Sequence, residues 1–309
     1  MKILLTGPGG QIGWELRGPL NQLGEVVSAD RSVMDLTDAG AIRRMLGELR
    51  PNLIVNAAGY TAVDKAEAEP ALAEAVNGAA PGILAEEAAK LGAAIVHYST
   101  DYVFDGAKGS PYEPRDRPNP VNVYGKTKLA GERAIAQSGA SFIILRTSWV
   151  YSLRRENFLL TILRLAHTRP ELRVVDDQHG CPSWSRLIAQ GTVEILSCSL
   201  RRQATRWTFG GLEGLYHLAC GGETTWCRLA EHILRCAGVD PMPAVTPITT
   251  EEYPAPARRP RYSTLDCRKT MDTFGIDLGP WEPAVMAALR DDEAAVAAAV
   301  GADDRRGRR

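Results

Sequence analysis

"KILLTGPGGQIG" fills residues 2–13, and its reading decides the fold. A short apolar, β-prone run gives way at Thr6 to a glycine loop, and Gln11 then opens a helical pattern. Strand, glycine loop and helix in that order predict a βα turn with bare backbone N–H groups at a helix N-terminus. The glycines at 7, 10 and 13 are spaced G-x-x-G-x-x-G, with Gly9 as an extra. No Cβ blocks the approach of a pyrophosphate, so Gly7, Gly10, Gln11, Ile12 and Gly13 are expected to bind a dinucleotide. A merely tight turn is the rival reading, and the position at the first βα turn argues against it.

Outward from that loop, the first 150 residues alternate strands with helices. Strand candidates are 2–6, 25–30, 53–59, 93–100 and 141–149; helix candidates lie near 11–23, 38–49, 70–91 and 125–138. Strands this apolar, each followed by a helix, predict an α/β fold: a doubly wound parallel sheet, Rossmann-like, covered on both faces. After Trp149 the rhythm breaks. Helices are expected at 157–167, 185–196 and 225–237 and strands at 173–178 and 214–220, while PMPAVTPI (241–248) and YPAPARRPRYS (253–263) read as extended loops. The expected division is a dinucleotide-binding domain over 1–150, to which 185–220 returns. A smaller, interleaved substrate-binding lobe takes 151–184 and 221–300, and a flexible tail takes 301–309.

The chain has 309 residues, 45% hydrophobic and 24% charged, with a formal net charge of −1. Neither nucleic acid nor a membrane is expected as a partner on that balance. Six cysteines without a C-x-x-C pair fit reduced thiols, and MKILLTGPGG is a poor signal peptide, so a cytoplasmic location is expected.

At a doubly wound sheet, ligands gather beyond the carboxyl ends of the strands. The second strand ends Asp30-Arg31, an acid suited to the ribose of NAD beside a base suited to the phosphate of NADP. Asp35 and Leu36, in VMDLTD (33–38), are placed at the adenine, with a loop or capping role for Asp35 equally open. NADPH or NADH is therefore the expected cofactor, NADPH being preferred. Small residues Ala57, Ala58 and Gly59 close the third strand, where the backbone can lie against the cofactor.

Tyr124 and Lys128 lie four residues apart, on one face of the helix expected at 125–138. A nearby ammonium favours a phenolate and is expected to bring the phenol's pKa down, so that Tyr124 can act as a general acid toward a carbonyl oxygen. Ser99-Thr100 ends the fourth strand with a hydroxyl for the same oxygen. A solvated helix face is the bland alternative for the pair taken alone.

In that order along the chain, the motifs resemble those of the extended short-chain dehydrogenase/reductases, in the branch that reduces dTDP-linked 4-keto-6-deoxy sugars. The resemblance rests on TGPGGQIG (6–13), NAAGYTAVDKAE (56–67), AVNGAAPGILAEEA (75–88), HYSTDYVFDG (97–106), NPVNVYGKTKLAGE (119–132), RTSWVY (146–151) and VVDDQHGCP (174–182). YHLACGGETTW (216–226) and RRPRYSTLD (258–266) extend it over almost the whole chain. It implies that Thr100, Tyr124 and Lys128 form a catalytic triad, that Thr61, Val63, Asp101 and Trp149 surround the sugar, and that a homodimer is an option. Two stretches depart from the family pattern, SLRRENF (152–158) and Cys181-Pro182-Ser183-Trp184, both expected on the substrate side. Rival readings of the same fold are another nucleotide-sugar 4-ketoreductase, an epimerase or dehydratase, and a non-catalytic regulatory subunit.

Other groups carry weaker expectations. Arg258, Arg259 and Arg261 suit a diphosphate or a solvated loop. His232 and Cys236 share helical spacing but fall short of a metal site, and no metal is expected. Asp176 and Asp177 have no required role in hydride transfer, and Glu67 and Glu69 are exposed candidates for a subunit contact.

Overall fold

The structure, a computed structural model, describes residues 1–291 and 296, so the expected tail at 301–309 lies outside the described residues. Its first half contains β1 (Lys2–Thr6), α1 (Gln11–Leu16), β2 (Glu25–Ala29), α2 (Ala39–Leu49), β3 (Leu53–Asn56), α3 (Ala80–Leu91), β4 (Ala94–Thr100), α4 (Val123–Gln137) and β5 (Ser141–Thr147). There follow α5 (Phe158–Ala166), β6 (Glu171–Val175), α6 (Ser185–Ser199), β7 (Gly214–His217), α7 (Trp226–Cys236), β8 (Ala244–Ile248) and α8 (Trp281–Asp291). The central sheet has six strands in the order β7-β5-β4-β3-β1-β2, all parallel. Chain order reverses between β1 and β3, which opens a crevice beyond their carboxyl ends.

Alternation along each strand fills both faces of the sheet. Ile3, Leu5, Leu53 and Val55 pack with Leu16 of α1 and Ile188, Ile195 and Leu196 of α6. Leu4 and Ile54 point the other way, onto Ile42 and Leu46 of α2, Leu84 of α3 and Ile135 of α4. Each fully buried Leu or Ile contributes roughly 1.5–3 kcal/mol, so two such layers fix the register firmly. A third core joins Leu159 and Leu163 of α5, Leu172 and Val174 of β6, Ile233 and Leu234 of α7 and Val285 of α8.

Three expectations change. The helix read at 11–23 stops at Leu16 and resumes as a 3-10 turn at Pro19–Gln22, because Pro19 has no N–H to continue the ladder. The helix read at 70–91 breaks into Pro70–Glu74, a wide π turn at Ala75–Ala79, and α3. PMPAVTPI is no loop: Ala244–Ile248 forms β8, parallel to β6 with Ala244 opposite Glu171. A two-stranded sheet has only edges, and an edge tolerates Pro247. Beyond these, the hairpin Arg201–Gln203/Arg206–Thr208 and the helices Arg268–Phe274 and α8 carry no earlier expectation. Among the described residues, no helix is long and apolar enough to cross a membrane.

Candidate active site

A cavity of about 1120 Å³ runs along the carboxyl ends of β1 to β5 and under α5 and α7. Pockets for one ligand commonly take roughly 300–1,000 Å³, so this cavity stands just above that range. Its floor is the glycine loop. Gly7 has φ +64°, and a Cβ there would lie 2.8 Å from Ala58 Cα. Gly10 caps α1 with no side-chain bond, which leaves the first N–H groups of the helix without a side-chain acceptor. Gly13 does not line the cavity: a Cβ on it would lie 2.0 Å from Gly7 O, so this glycine lets α1 pack onto the loop.

The remaining residues expected at the cofactor, Gly7, Gly10, Gln11, Ile12, Asp30, Arg31, Asp35, Leu36, Ala57, Ala58, Gly59, Tyr124 and Lys128, all line this cavity. Asp30 turns back on its own chain, accepting from Ser32 N at 2.9 Å and Ser32 Oγ at 2.6 Å, and the Ser32 hydroxyl holds its carboxyl below the usual range. Arg31 is 78% exposed and touches Asp35 at 3.5 Å.

Thr61, Val63, Thr100, Asp101 and Trp149 line the same cavity. Tyr124 stands in the first turn of α4, whose start is fixed twice: Gly125 N donates to Asn122 Oδ1 at 2.7 Å and Val123 N to Glu67 Oε1 at 2.8 Å. Glu67 therefore holds the tyrosine's helix and is not a free surface acid. Glu69 is also engaged, accepting from Tyr60 Oη at 2.6 Å and pairing with Lys65 at 3.1 Å. The π turn has a part as well: Asn77 accepts from Tyr60 N at 2.8 Å and donates to Thr127 Oγ1 of α4 at 3.2 Å. Such turns recur at functional sites.

The electrostatics overturn one expectation. The Tyr124 phenol is pushed up to about 12 by burial, with a hydrogen bond from Thr100 working the other way. Lys128 does not draw it down, because Nζ faces His97 Nε2 at 3.1 Å and donates to Tyr98 O at 2.5 Å. Burial lowers Lys128 itself to about 8, against the carboxylate of Glu132. Asp101 is raised to about 6 by burial, although Ser263, Ser148 and Thr100 bond to it. Ser99 donates to Glu132 at 2.5 Å, so Thr100 is the hydroxyl left at the strand end.

Trp149, at φ +44°, stacks on Trp226 with ring centroids 3.5 Å apart and planes 5° apart. A Cβ on Gly180 would lie 2.3 Å from the Trp149 ring, so the indole is a fixed wall.

The sequence reading expected 152–158 on the substrate side but gave several cavity residues no role of their own. Arg155 lines the cavity at φ +62° and donates from Nε to Gly9 O at 2.8 Å. Phe158, Trp226 and Leu229 line it too. No local signal marks them, since only the tertiary fold brings residue 155 over residue 9. Of the two departing stretches, 155–158 lines the cavity and 181–184 does not; Cys181 and Trp184 are buried instead. The arginines expected at a diphosphate are also elsewhere. Arg259 forks onto Asp64 at 3.0 and 2.7 Å, Arg261 pairs with Glu251 at 2.8 Å, and Arg258, Arg259 and Arg261 all lie outside the cavity. His232 Nε2 donates to Glu282 O at 3.0 Å; Asp176 accepts from Thr225 Oγ1 and Asp177 accepts from Thr250 N at 2.9 Å.

A six-stranded parallel sheet with a glycine loop at its first turn, and a tyrosine–lysine helix across the switch point, define an extended short-chain dehydrogenase/reductase architecture. The chain belongs to the family described as RmlD substrate binding domain, whose model matches residues 1–294. It is 44% identical over 297 residues to the dTDP-4-dehydrorhamnose reductase of Burkholderia thailandensis, covering 94% of this chain and 99% of that one. The dTDP-4-dehydrorhamnose reductase structure from Clostridium acetobutylicum superposes with a TM-score of 0.86 at 36% identity, covering 95% of this chain and 100% of that one. The Bacillus anthracis structure of the same name, in complex with NADP, gives 0.84 at 31% identity, covering 94% and 99%.

Proposed function

We propose that this protein is an NAD(P)H-dependent oxidoreductase that reduces the 4-keto group of dTDP-4-dehydro-6-deoxy-L-mannose (dTDP-4-dehydrorhamnose) to dTDP-L-rhamnose. The observation that carries it is the meeting of Thr100, Tyr124 and Lys128 in one cavity with the glycine loop Gly7-Pro8-Gly9-Gly10. The cradle fits a dinucleotide: a Cβ at Gly7 would collide with the backbone of Ala58, and the first N–H groups of α1 lack a side-chain acceptor. A reduced nicotinamide dinucleotide, when bound, supplies hydride to the ketone carbon.

The chain's own residues do the rest. Thr100 and Tyr124 hold the ketone oxygen, and Tyr124 donates its proton as negative charge develops there. Burial suits that task, since a phenol raised to about 12 stays protonated at neutral pH. Lys128, one turn along α4 from Tyr124, would supply an ammonium to the ribose of a bound cofactor. Arg155, held on Gly9 O, would supply a cation to the phosphates of a bound cofactor. Arg31, exposed and weakly held, favours NADPH, because Asp30 is already occupied by Ser32. Asp101, Thr61, Val63 and the Trp149 wall are assigned to the sugar. The cavity lies between the sheet and the core built from α5, α7 and α8, which is the substrate lobe of this reading. Six unpaired cysteines suit a cytoplasmic setting.

The test follows NADPH absorbance with dTDP-4-keto-6-deoxy-L-lyxo-hexulose beside its GDP and UDP analogues. Stoichiometric oxidation with the dTDP sugar is expected, which an epimerase would not give. Tyr124→Phe should lower kcat by about 10²–10⁴ with cofactor binding kept. A variant that turns over normally would remove Tyr124 as the acid.

A further inference from the structure

Buried beneath the cavity is a titratable group that the mechanism above leaves idle. His97 is 1% exposed, on β4, with Asn56 of β3 on one side and Lys128 of α4 on the other. Asn56 Nδ2 lies 3.0 Å from Nδ1, and Lys128 Nζ lies 3.1 Å from Nε2. Behind Asn56, Thr6 Oγ1 lies 2.6 Å from Asn56 Oδ1 and accepts from Ala58 N at 3.3 Å. An unbroken chain thus runs from the end of β1, through β3 and β4, to the lysine.

We propose that His97 is a positioning residue for Lys128: its imidazole holds Nζ at the cavity and, through the tautomer it adopts, holds the charge on Nζ. This rests on the reductase reading of Lys128.

Proton accounting along the chain carries the idea. A neutral imidazole has one N–H and one bare nitrogen. If Asn56 donates to Nδ1, the ring proton is on Nε2 and points at Nζ, which must then offer the lone pair of an amine. If the Asn56 amide is turned over, its oxygen accepts from Nδ1–H. Nε2 is then bare and accepts from an ammonium. The ammonium therefore requires the Nδ1–H tautomer and the turned Asn56 amide, whereas only the amine can accept from an Nε2–H. The imidazole stays neutral in both, because burial, and then the charge of Lys128, hold its pKa well below the usual value.

The other groups around Nζ do not perform this task. Glu132, on α4, favours the ammonium, but Arg146 of β5 takes its carboxylate at 2.8 and 2.7 Å and Ser99 of β4 at 2.5 Å. Tyr124 is one turn back on α4, and Asp101 beyond β4 bonds Ser148 at 3.0 Å. Tyr98 O accepts from Nζ in either state.

The sign follows directly. Reduction needs the ammonium, so activity falls as pH rises through the Lys128 value of about 8. Removing the Nε2 acceptor destabilises the ammonium and moves that alkaline limb to lower pH. In His97→Leu the limb of kcat is expected to fall by about one pH unit, the worth of a hydrogen bond to a charged group. His97→Gln, whose amide oxygen can accept from Nζ, should return the limb toward the wild-type position. A residue with a purely structural role would lower stability or kcat and leave the limb in place. A second readout needs no turnover and no variant. In wild-type protein labelled with 15N, the His97 ring proton should be on Nδ1 while Lys128 is an ammonium, and only the amine frees it to move to Nε2. A ring proton on Nε2 below the Lys128 value overturns the proposal, as does a His97→Leu limb coincident with wild type. If the Leu variant does not fold, the Gln variant and the 15N titration decide. Wild-type protein that fails to oxidise NADPH overturns the reductase reading instead, while the 15N titration still reports on His97 and Lys128.

Discussion

Arg155 pairs a conformational cost with a chemical position. A left-handed φ of +62° crowds the Cβ of any residue but glycine, and the side chain still reaches Gly9 O at 2.8 Å. Arg155→Gly is expected to relax the backbone while removing a cation from the glycine loop. Binding of NADPH, followed by fluorescence titration, should weaken about tenfold, with a flatter dependence on salt. An unchanged dissociation constant at both low and high salt would count against a phosphate role. Residues of this kind are not legible in sequence. SLRRENF reads as a charged stretch, and its meaning comes from a neighbour 146 positions away along the chain. Tyr124 and Lys128 were legible, because helical spacing and the glycine loop constrain each other. The direction of the Tyr124 shift was not, since a lysine's partner depends on where β4 sets His97.

Among the elements, α1 shows how one residue type serves two ends. Gly13 looks like part of the binding loop, yet its Cβ position lies 2.0 Å from Gly7 O and its work is packing. Gly13→Ala should therefore cost about 1–3 kcal/mol in urea unfolding, as overpacked sites do. Gly47 is the control: it lies inside α2 with nothing within 4 Å of its Cβ position. Gly47→Ala should stabilise by about 0.5–1 kcal/mol. Equal effects at the two sites would refute the distinction. β2 lies at the sheet edge and is only partly buried. β1, β3, β4 and β5 were readable because both faces of the sheet are buried there, which leaves apolar runs. β8 was not, because Pro247 on an edge gives the same signal as a loop. The start of α3 was passed over, although Asn77-Gly78 and Pro81-Gly82 interrupt the Ala-rich run there.

Over the whole molecule, the chain leaves the sheet after β5, builds much of a second core, and returns with α6 and β7. A doubly wound parallel sheet with ligands beyond its strand ends followed from the alternation of strands and helices; the roof of the cavity did not. Trp226 shows why. It begins α7, far along the chain, and stacks on the Trp149 that ends the sheet side of the cavity. Two nearly parallel indoles 3.5 Å apart couple their electronic transitions. The protein should thus carry a built-in optical gauge: a bisignate near-ultraviolet dichroism band that neither ring produces alone. Trp226→Phe should erase the couplet rather than dim it, and a couplet that survives in the variant would show the coupling to lie elsewhere. Any ligand that shifts α7 against the strand ends would then report itself without a label.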